Sequence, residues 1–289
     1  MSKSNNPKIL DGNALSKQIK AKIKGEILQD FPQSEGKPAL AVIIVGDDSA
    51  SRIYVNHKKK DCEECGINSY EYALPAQTSN EALLELIEEL NADNRINGII
   101  VQQPLPASID VLGINDAISP WKDVDAFRAD SIGKLAVGDY SFLPCTPAGV
   151  MELIHSTGVS VSGSECVVVG RSNIVGKPMA MMLLNESATV TVCHSRTRDL
   201  AEVTGRADIL VSAVGKAKLI TADMVKEGAI VIDVGMNRDE NGKLCGDVDY
   251  TAVSEKASWI TPVPGGVGPM TRAMLMKNTL TAKTIQDKG

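Results

Sequence analysis

The residue pair best suited to acid–base chemistry is Tyr54 and Lys58, four residues apart in a segment predicted to be helical from Ser51 to Cys65. Side chains at this spacing share one face of an α-helix. A lysine beside a phenol in a dry cleft has its charged form destabilised, so it can exchange protons near neutral pH. On spacing alone, a surface lysine beside a half-buried tyrosine is the more ordinary interpretation.

Two other segments are candidates for binding a ligand. Asp123 and Asp125 stand in a predicted loop, where Asp125 is suited to bind a donor-rich heterocycle, although a turn or helix cap is the more ordinary role for such residues. The segment 262–269 holds three prolines and three glycines, which predicts a rigid, non-helical loop that brings backbone close to a ligand. A plain connection between domains is the alternative.

The stretch ECVVVGRSNIVGKP, residues 165–178, has the order strand, turn, helix. Gly170 ends the apolar run, and Gly176 opens a segment predicted to be helical through Met182. This order is typical of a dinucleotide phosphate site, in which glycines allow close backbone approach and the helix start receives the charge. The spacing departs from G-x-G-x-x-G because Ser172 takes the place of the middle glycine, so the glycines alone also fit a simple tight turn.

The tip of the next strand indicates which dinucleotide binds. In NAD sites this tip usually carries a carboxylate for the ribose 2′-hydroxyl. Here it carries Ser195 and Arg196, and Arg171 in the first turn adds a second cation. Guanidinium groups bind a 2′-phosphate that a carboxylate would repel, so the sequence favours NADP. Arginines that only solvate a loop are the alternative.

The elements that must position these residues alternate between strand and helix. A buried run at 39–45, a strand at 67–74 and a short buried strand at 98–101 are separated by helices at 51–65 and 80–91, which predicts a parallel sheet. Gln102 follows the last of these strands. Further strands are expected near the ranges 166–169, 189–193, 208–213, 229–234 and 259–261.

Ligands of parallel α/β sheets lie beyond the carboxyl ends of the strands. Gln102, Gly170, His194 and Val234 all lie at the carboxyl ends of predicted strands. The fold class is therefore α/β with two domains: residues 1–148 for substrate and catalysis, and 149–269 with a Rossmann-like dinucleotide site. A final helix, 270–289, is expected to pack back on the first domain.

Composition narrows the partners and the compartment. The chain has 289 residues, a net charge of −6 and 3% aromatic residues, which does not favour nucleic acid or an anionic membrane as a partner. No apolar run approaches the length of a membrane span, and the polar N-terminus lacks the apolar core of a leader. Six scattered cysteines, with one C-x-x-C at Cys62 and Cys65 but no completed zinc set, fit a reducing cytoplasm and no metal.

Taken together, these segments resemble the methylenetetrahydrofolate dehydrogenase/methenyltetrahydrofolate cyclohydrolase family. The matching stretches run from KILDG to the final helix, and GRSNIVGKP and PGGVGPMT are the most specific among them; the others include SRIYVNHKKKDCEECGI, GIIVQQPLP, KDVDAF, PCTPAG, ATVTVCHSRT, VIDVGMN and GDVDY. The resemblance implies two α/β domains with the active cleft between them, a homodimer and the cofactor NADP. It implies oxidation of 5,10-methylenetetrahydrofolate and hydrolysis of the product to 10-formyltetrahydrofolate.

The resemblance also implies roles for single residues. Lys58 would transfer protons, Gln102 would tune it, Tyr54 would stack on the folate and Asp125 would anchor the pterin. The remaining residues implied to bind a ligand are Pro264, Gly265 and Gly266 for folate, and Gly170, Arg171, Ser172, Gly176, Ser195, Arg196 and Val234 for NADP.

The chain departs from the family pattern at three places, and two alternative functions remain. Ala126 stands where the family has glycine, residues 127–131 differ where an asparagine is expected near Ser131, and Ala217 stands in place of a proline. A shikimate-type dehydrogenase would share the two-domain plan, and a dinucleotide-sensing module would bind NADP without turnover. Short-chain dehydrogenases also use Tyr-x-x-x-Lys, but there the pair follows the nucleotide turn, whereas here it precedes that turn.

Overall fold

A computed structural model describes residues 8–32 and 36–288 of the chain. The strands in this part are β1 Lys8–Ile9, β2 Ala39–Val45, β3 Asn68–Leu74, β4 Gly98–Val101, β5 Glu165–Val169, β6 Thr189–Cys193, β7 Ile209–Ser212, β8 Ile230–Asp233, β9 Asn237–Arg238, β10 Leu244–Cys245 and β11 Trp259–Ile260. The α-helices are α1 Gly12–Asp30, α2 Ser49–Cys65, α3 Asn80–Ala92, α4 Val111–Ala117, α5 Ala129–Val137, α6 Cys145–Ser156, α7 Gly176–Asn185, α8 Leu200–Thr204, α9 Tyr250–Ser254 and α10 Val267–Gln286.

The chain divides into two compact units, each named here by its main sheet. The three-stranded unit contains Lys17–Cys145 and Arg272–Gly289, and the six-stranded unit contains Met1–Ser16 and Thr146–Thr271. The predicted domains, 1–148 and 149–269, differ from this division at the N-terminus, because the strand β1 pairs with β11 in the six-stranded sheet. The end of α10 is grouped with the three-stranded unit.

The three-stranded unit is built around a parallel sheet in the order β3-β2-β4. Every residue of β2 and β4 is buried, as expected for continuous apolar runs such as ALAVIIV that are covered on both faces. Ile43 and Ile99 pack with Leu83 and Ile87 of α3 in the core. Helix α3 begins at the Ser79 cap, whose hydroxyl accepts a hydrogen bond from the Ala82 N–H at 3.2 Å.

The six-stranded unit has a parallel sheet in the order β1-β11-β8-β7-β5-β6. The chain first adds β6 on one side of β5 and then continues with β7, β8 and β11 on the other. The order therefore reverses at β5, and in such sheets the ligand lies beyond the carboxyl ends of the strands at this reversal. Val167, Leu210 and Val231 lie fully buried in its core.

Most predicted elements appear within two or three residues of their expected bounds. Helix α2 ends at Gly66, which adopts a φ of +83°, as expected for a glycine stop. The helices α4 and α5 and the hairpin β9–β10 were not predicted. One expectation was wrong: the segment 262–269 is not wholly a loop, because α10 begins at Val267. Pro269 fits there since the first helical turn needs no N–H from it.

The C-x-x-C pair lies within helix α2. Cys62 and Cys65 are buried in α2 and are free thiols, and burial raises the pKa of each to about 12. None of the helices in the described part of the chain combines the length and apolar character needed to cross a bilayer. Residues 1–7, on which the prediction of no leader mainly rests, lie outside the described residues.

Candidate functional site

Helix α2 fixes the positions of Tyr54 and Lys58 in the three-stranded unit. The helix starts at its cap Asp48, whose carboxylate accepts a hydrogen bond from the Ser51 N–H at 2.7 Å. Both side chains are half-buried. Their spacing of four residues places them on one face, as the sequence predicted.

Lys58 and Gln102 are in direct contact. The Lys58 Nζ donates to the Gln102 Oε1 at 2.6 Å. Gln102 follows β4, and its own N–H donates to the Ile43 carbonyl of β2 at 2.8 Å, so the sheet edge sets its backbone. Its Nε2 donates to the Gln103 carbonyl at 2.5 Å, which leaves the amide oxygen directed to the lysine. The structure thus brings together two residues that the sequence placed 44 positions apart.

The loop that carries Asp125 is held by its neighbour Asp123. The buried Asp123 carboxylate accepts from the N–H groups of Phe127 and Arg128, each at 3.2 Å, and from the Ser131 hydroxyl at 2.7 Å. Burial raises the pKa of Asp123 to about 6, so desolvation outweighs these three hydrogen bonds. Ser131, near which the family pattern has an asparagine, thus donates a hydrogen bond that helps to hold this loop.

Ala126 adopts a left-handed φ of +55° and is almost fully buried. This conformation favours glycine, the residue expected here from the family pattern, and it costs a residue with a Cβ about 1 kcal/mol or more. The departure at 126 therefore keeps the expected backbone shape rather than changing it. The strain lies directly beside Asp125.

The electrostatics around Lys58 favour proton exchange. Burial lowers the pKa of Lys58, and the nearby Asp125 carboxylate acts in the opposite direction. Burial also raises the pKa of Asp125, against the effect of Lys58. An amine and a carboxyl group that are both withdrawn from water have proton affinities closer together than they would have in solution. Both shifts favour a change of protonation state, which a residue that transfers protons requires.

Two further groups complete these surroundings, and sequence reasoning missed both. Cys145 is fully buried, and burial and the Asp125 charge raise the pKa of its thiol well above the ordinary value. Arg272 interacts with the charges of Lys58 and Tyr54; the pKa of Tyr54 is raised by burial and lowered in part by Arg272. A lone cysteine and a helical arginine give no sequence signal for such contacts.

Arg272 is held by a buried carboxylate on α2. The Asp61 Oδ2 accepts from the Arg272 Nε at 2.6 Å, and its Oδ1 accepts from the Lys20 Nζ at 2.7 Å. Asp61 lies seven residues after Tyr54 and three after Lys58, so the three share one helix face. This shared helix face was the sequence signal that could have identified Asp61. The side chains of Asp61 and Arg272 are only 8% and 20% exposed, so the pair is largely desolvated.

In the six-stranded unit, the predicted phosphate turn follows β5. Gly170 has a φ of +129°, and a Cβ there would lie 2.3 Å from the Ala213 carbonyl oxygen. A Cβ on Gly176 would lie 2.2 Å from the Gly170 oxygen. Only glycine fits either position, as the prediction required. The Ser172 hydroxyl accepts from the N–H groups of Val175 and Gly176, each at 3.2 Å, and so orders the start of α7.

The tip of β6 is a tight turn at the same edge of the sheet. The Gly170 N–H donates to the Cys193 carbonyl at 2.9 Å, which joins the phosphate turn to the end of β6. Ser195 and Arg196 follow and are exposed, as is Arg171. Within residues 8–32 and 36–288, neither guanidinium forms an ion pair, so both are available to an anion. The residues present fit a dinucleotide with a 2′-phosphate.

The remaining predicted site residues also lie in the six-stranded unit. Val234 follows β8 and is half-buried, with its N–H donating to the Ser212 carbonyl at 2.8 Å. Pro264, Gly265 and Gly266 precede α10, and the Gly265 carbonyl accepts from the Asn13 N–H at 3.2 Å. Their assignment to the folate stays a prediction.

Comparison with known proteins identifies the family. Residues 10–125 match the catalytic domain of the tetrahydrofolate dehydrogenase/cyclohydrolase family, and residues 144–287 match its NAD(P)-binding domain. The chain belongs to this family. The bifunctional protein FolD of Acetivibrio thermocellus is 59% identical to it over 281 residues, which cover 97% of this chain and 98% of that protein.

Solved structures agree with this assignment. The bifunctional FolD dehydrogenase/cyclohydrolase from Campylobacter jejuni has 50% identity and a TM-score of 0.92, covering 96% of this chain and 98% of its own. The Trypanosoma brucei enzyme, solved with NADP and an inhibitor, has 38% identity and a TM-score of 0.93, covering 98% and 99%. The predictions of the family, of a two-domain α/β fold and of a bifunctional dehydrogenase/cyclohydrolase are confirmed.

The Asp61 ion pairs yield the first prediction. Asp61→Asn should lower the free energy of unfolding by about 3 kcal/mol, because it leaves the largely desolvated Arg272 without its carboxylate. Glu64→Gln is the matched control: Glu64 also binds Lys20, but its side chain is 47% exposed, so the loss should stay below about 1 kcal/mol. Urea unfolding of both variants measures the difference. Equal losses would show that Asp61 is not an energetically buried partner.

Proposed function

We propose that this chain oxidises 5,10-methylenetetrahydrofolate with NADP⁺ and hydrolyses the resulting 5,10-methenyl cation to 10-formyltetrahydrofolate. The observation that carries the proposal is the 2.6 Å contact between the Lys58 amine and Gln102, beside Asp125, in a matched catalytic domain. Both steps act on one carbon, the bridge between N5 and N10. One polar constellation can therefore serve both.

Oxidation and hydrolysis act on the bridging carbon in turn. In the first, the bridging carbon loses a hydride, which the NADP⁺ nicotinamide accepts, and the folate becomes a cation. In the second, water adds its oxygen to that carbon and the bond from the carbon to N5 breaks. One proton of the water ends on N5 and the other is released. The protein must therefore move protons only in the second reaction.

Lys58 is proposed to move these protons. Burial lowers the pKa of its amine, so a larger neutral fraction is available to take a proton from the attacking water. Gln102 accepts a hydrogen bond from the amine and so fixes its position. Asp125, whose pKa is raised by burial, is proposed to bind the pterin amino and ring N–H groups as two parallel donors.

The other site residues have proposed binding roles. Tyr54, on the face of α2 that carries Lys58, would stack on the folate ring system. Pro264, Gly265 and Gly266 would contact the folate. These roles follow from the family pattern. Tyr54 and Gly265 are half-buried and Pro264 is exposed, which is compatible with a ligand, whereas Gly266 is buried.

The dinucleotide is proposed to be NADP. Gly170, Ser172 and Gly176 would receive the phosphates, with Val234 beside the dinucleotide, while Arg171, Ser195 and Arg196 would bind the 2′-phosphate. The absence of a carboxylate at the β6 tip, residues 194–197, supports this choice over NAD. The NADP complex of the Trypanosoma brucei relative supports it further. When bound, the nicotinamide supplies the hydride acceptor.

Proposals about the pathway, the compartment and the partners rest on the family, the cysteines and the net charge. One-carbon transfer from 10-formyltetrahydrofolate supplies purine biosynthesis, and free buried thiols fit a reducing cytoplasm. A homodimer is proposed from the family. The acidic net charge supports the absence of nucleic acid and membrane partners.

The shikimate-type alternative rests on fold alone. Shikimate dehydrogenase from Aquifex aeolicus matches at 14% identity with a TM-score of 0.52. A dinucleotide-sensing module would not need the desolvated Lys58 beside Gln102. Neither alternative accounts for the family match of the catalytic domain.

The direct test is absorbance-monitored turnover of purified protein. NADP⁺ should be reduced only when 5,10-methylenetetrahydrofolate is present, and the protein should accelerate hydrolysis of the methenyl cation. Shikimate should give no reduction. Folded protein that fails both folate assays would contradict the proposed function.

Lys58→Met should reduce methenyl hydrolysis by about 10²–10⁴-fold, because it keeps the long apolar stem and removes the amine that moves protons. NADP⁺ binding should be unchanged, and hydride transfer should survive in part because it needs positioning more than proton exchange. Lys59→Met at the exposed neighbouring position is the control. In the wild type, the hydrolysis rate should rise with pH as the Lys58 amine loses its proton and should then level off. The midpoint of this rise should lie below the ordinary pKa of lysine, since the pKa of Lys58 is lowered. Rapid hydrolysis by Lys58→Met would exclude a catalytic Lys58.

Arg196→Ala should weaken NADP⁺ binding by about tenfold or more, since it removes a charge-assisted contact to the 2′-phosphate. NAD⁺, which lacks that phosphate, should be affected much less. Arg198→Ala, an exposed arginine two residues further on, is the matched control. Titration calorimetry with each dinucleotide measures the effect. An equal loss for both cofactors would show that Arg196 does not contact the 2′-phosphate.

A further inference from the structure

Asp247 is a fully buried carboxylate in the six-stranded unit that receives an unusual number of donors. It lies two residues after β10. Its Oδ2 accepts from Val214 N at 2.7 Å, Ser212 Oγ at 3.2 Å and Gly215 N at 3.3 Å, and its Oδ1 accepts from Lys216 N at 2.9 Å and Asn237 Nδ2 at 2.9 Å.

Three of these donors are consecutive backbone amides, those of residues 214–216. Successive N–H groups that converge on one anion form a concave, anion-binding backbone shape. A charged acceptor gains roughly twice as much from each bond as a neutral one. Asparagine would present an NH₂ group to at least one of these donors. The loop after β7 therefore takes its shape from the Asp247 carboxylate.

This loop adjoins the phosphate turn. β7 lies next to β5, where the strand order reverses. The Ala213 N–H donates to the Val169 carbonyl at 2.7 Å, and a Cβ on Gly170 would collide with the Ala213 oxygen. The backbone that Asp247 holds thus begins in contact with Gly170. A change of loop shape would reach the dinucleotide position directly.

Asp247 itself cannot shift easily. The Asp233 carboxylate accepts from the N–H groups of Gly235, Asp247 and Val248, each at 2.9 Å. A Cβ on Gly246 would lie 1.8 Å from the Asp233 Oδ2, and a Cβ on Gly235 would lie 2.2 Å from the Asp247 Oδ1. Because Gly235 and Gly246 have no Cβ, there is room for two adjacent carboxylates, each of which accepts hydrogen bonds from backbone N–H groups.

The end of the same loop is a turn in which a proline would fit. The Leu219 N–H donates to the Lys216 carbonyl at 3.4 Å, and Lys218 at the third position has a φ of +52°, whereas Ala217 at the second has no positive φ. This pattern is that of a type II turn, which favours proline at its second position. Within the described residues, the Ala217 N–H meets no acceptor. The loop thus lacks a proline at position 217, where one would fit. It is held instead by Asp247 and by the Gly246 carbonyl, which accepts from Lys218 N at 3.2 Å.

We propose that Asp247 is a positioning residue for the dinucleotide: its carboxylate fixes the backbone of residues 214–216 in the shape that the cofactor site requires. The proposal rests on the proposed function of the six-stranded unit as the NADP site. It assigns Asp247 no contact with the cofactor. Its effect is therefore expected in cofactor affinity rather than in the folate chemistry.

Asp247→Asn tests the proposal against Asn237→Ala, which removes a donor to the same carboxylate without touching the loop. Titration calorimetry should show NADP⁺ binding at least about tenfold weaker for Asp247→Asn and within about twofold of wild type for Asn237→Ala. The KM for NADP⁺ should rise in parallel, while methenyl hydrolysis, which needs no dinucleotide, stays unchanged in both variants. Wild-type affinity in Asp247→Asn, or an equal loss in both variants, would overturn the proposal. Failure of the wild type to bind NADP⁺ would instead overturn the proposed function.

A second set of variants serves if Asp247→Asn does not fold. Lys216→Pro deletes one N–H anchor at an exposed position, and Lys216→Ala keeps that N–H. Ala217→Pro adds a proline next door without deleting an anchor. Relative to Lys216→Ala, the proline at 216 should weaken NADP⁺ binding by about fivefold, the loss of one hydrogen bond. Ala217→Pro should bind within about twofold of wild type. Equal affinities for the two variants at 216 would overturn the proposal.

Discussion

The proposed active centre depends on one constraint, which is that the Lys58 amine is withdrawn from water without losing its partners. Desolvation is the largest influence on this amine and lowers its pKa, while Asp125 acts in the opposite direction. Gln102 supplies a neutral acceptor at 2.6 Å, so the amine is held without the charge-stabilising effect of a second carboxylate. The buried strands β2 and β4 set the position of Gln102, and the capped helix α2 sets that of Lys58. The strands and the helix of the three-stranded unit thus keep the Lys58 amine desolvated and fix its orientation.

Both units use buried carboxylates to shape the loops that follow their strands. Asp123 accepts two backbone N–H groups and a hydroxyl in the Asp125 loop, and Asp233 accepts three backbone N–H groups at the end of β8. Burial raises the pKa of each to about 6 despite these bonds. Desolvation therefore wins over hydrogen bonding at both positions. Such carboxylates are costly as buried charges, and each holds a loop that contains a predicted site residue, Asp125 in one and Val234 in the other.

Local sequence patterns were enough to predict most of the strands, the main helices and the glycine turn. Continuous apolar runs predicted β2 and β4, because such a signal depends on a few adjacent residues. The helices α4 and α5 escaped notice because they are short and follow loops with no clear period. The helical start of α10 was missed because three prolines and three glycines in one segment suggested loop throughout. The site residues Lys58, Gln102 and Asp125 were named from family resemblance, since spacing alone favoured ordinary roles for Lys58 and Asp125.

What the sequence could not indicate is the function of a carboxylate whose partners lie far along the chain. Asp61 binds an arginine more than two hundred residues later, and Asp247 binds amides about thirty residues before it. Both lie in stretches that resemble the family, but nothing in those stretches shows which donors the fold brings to each carboxylate. Asp61 alone had a spacing signal, on the face of Tyr54 and Lys58. A polar residue that organises others is therefore recognised by the number and identity of its donors, which only the folded chain reveals.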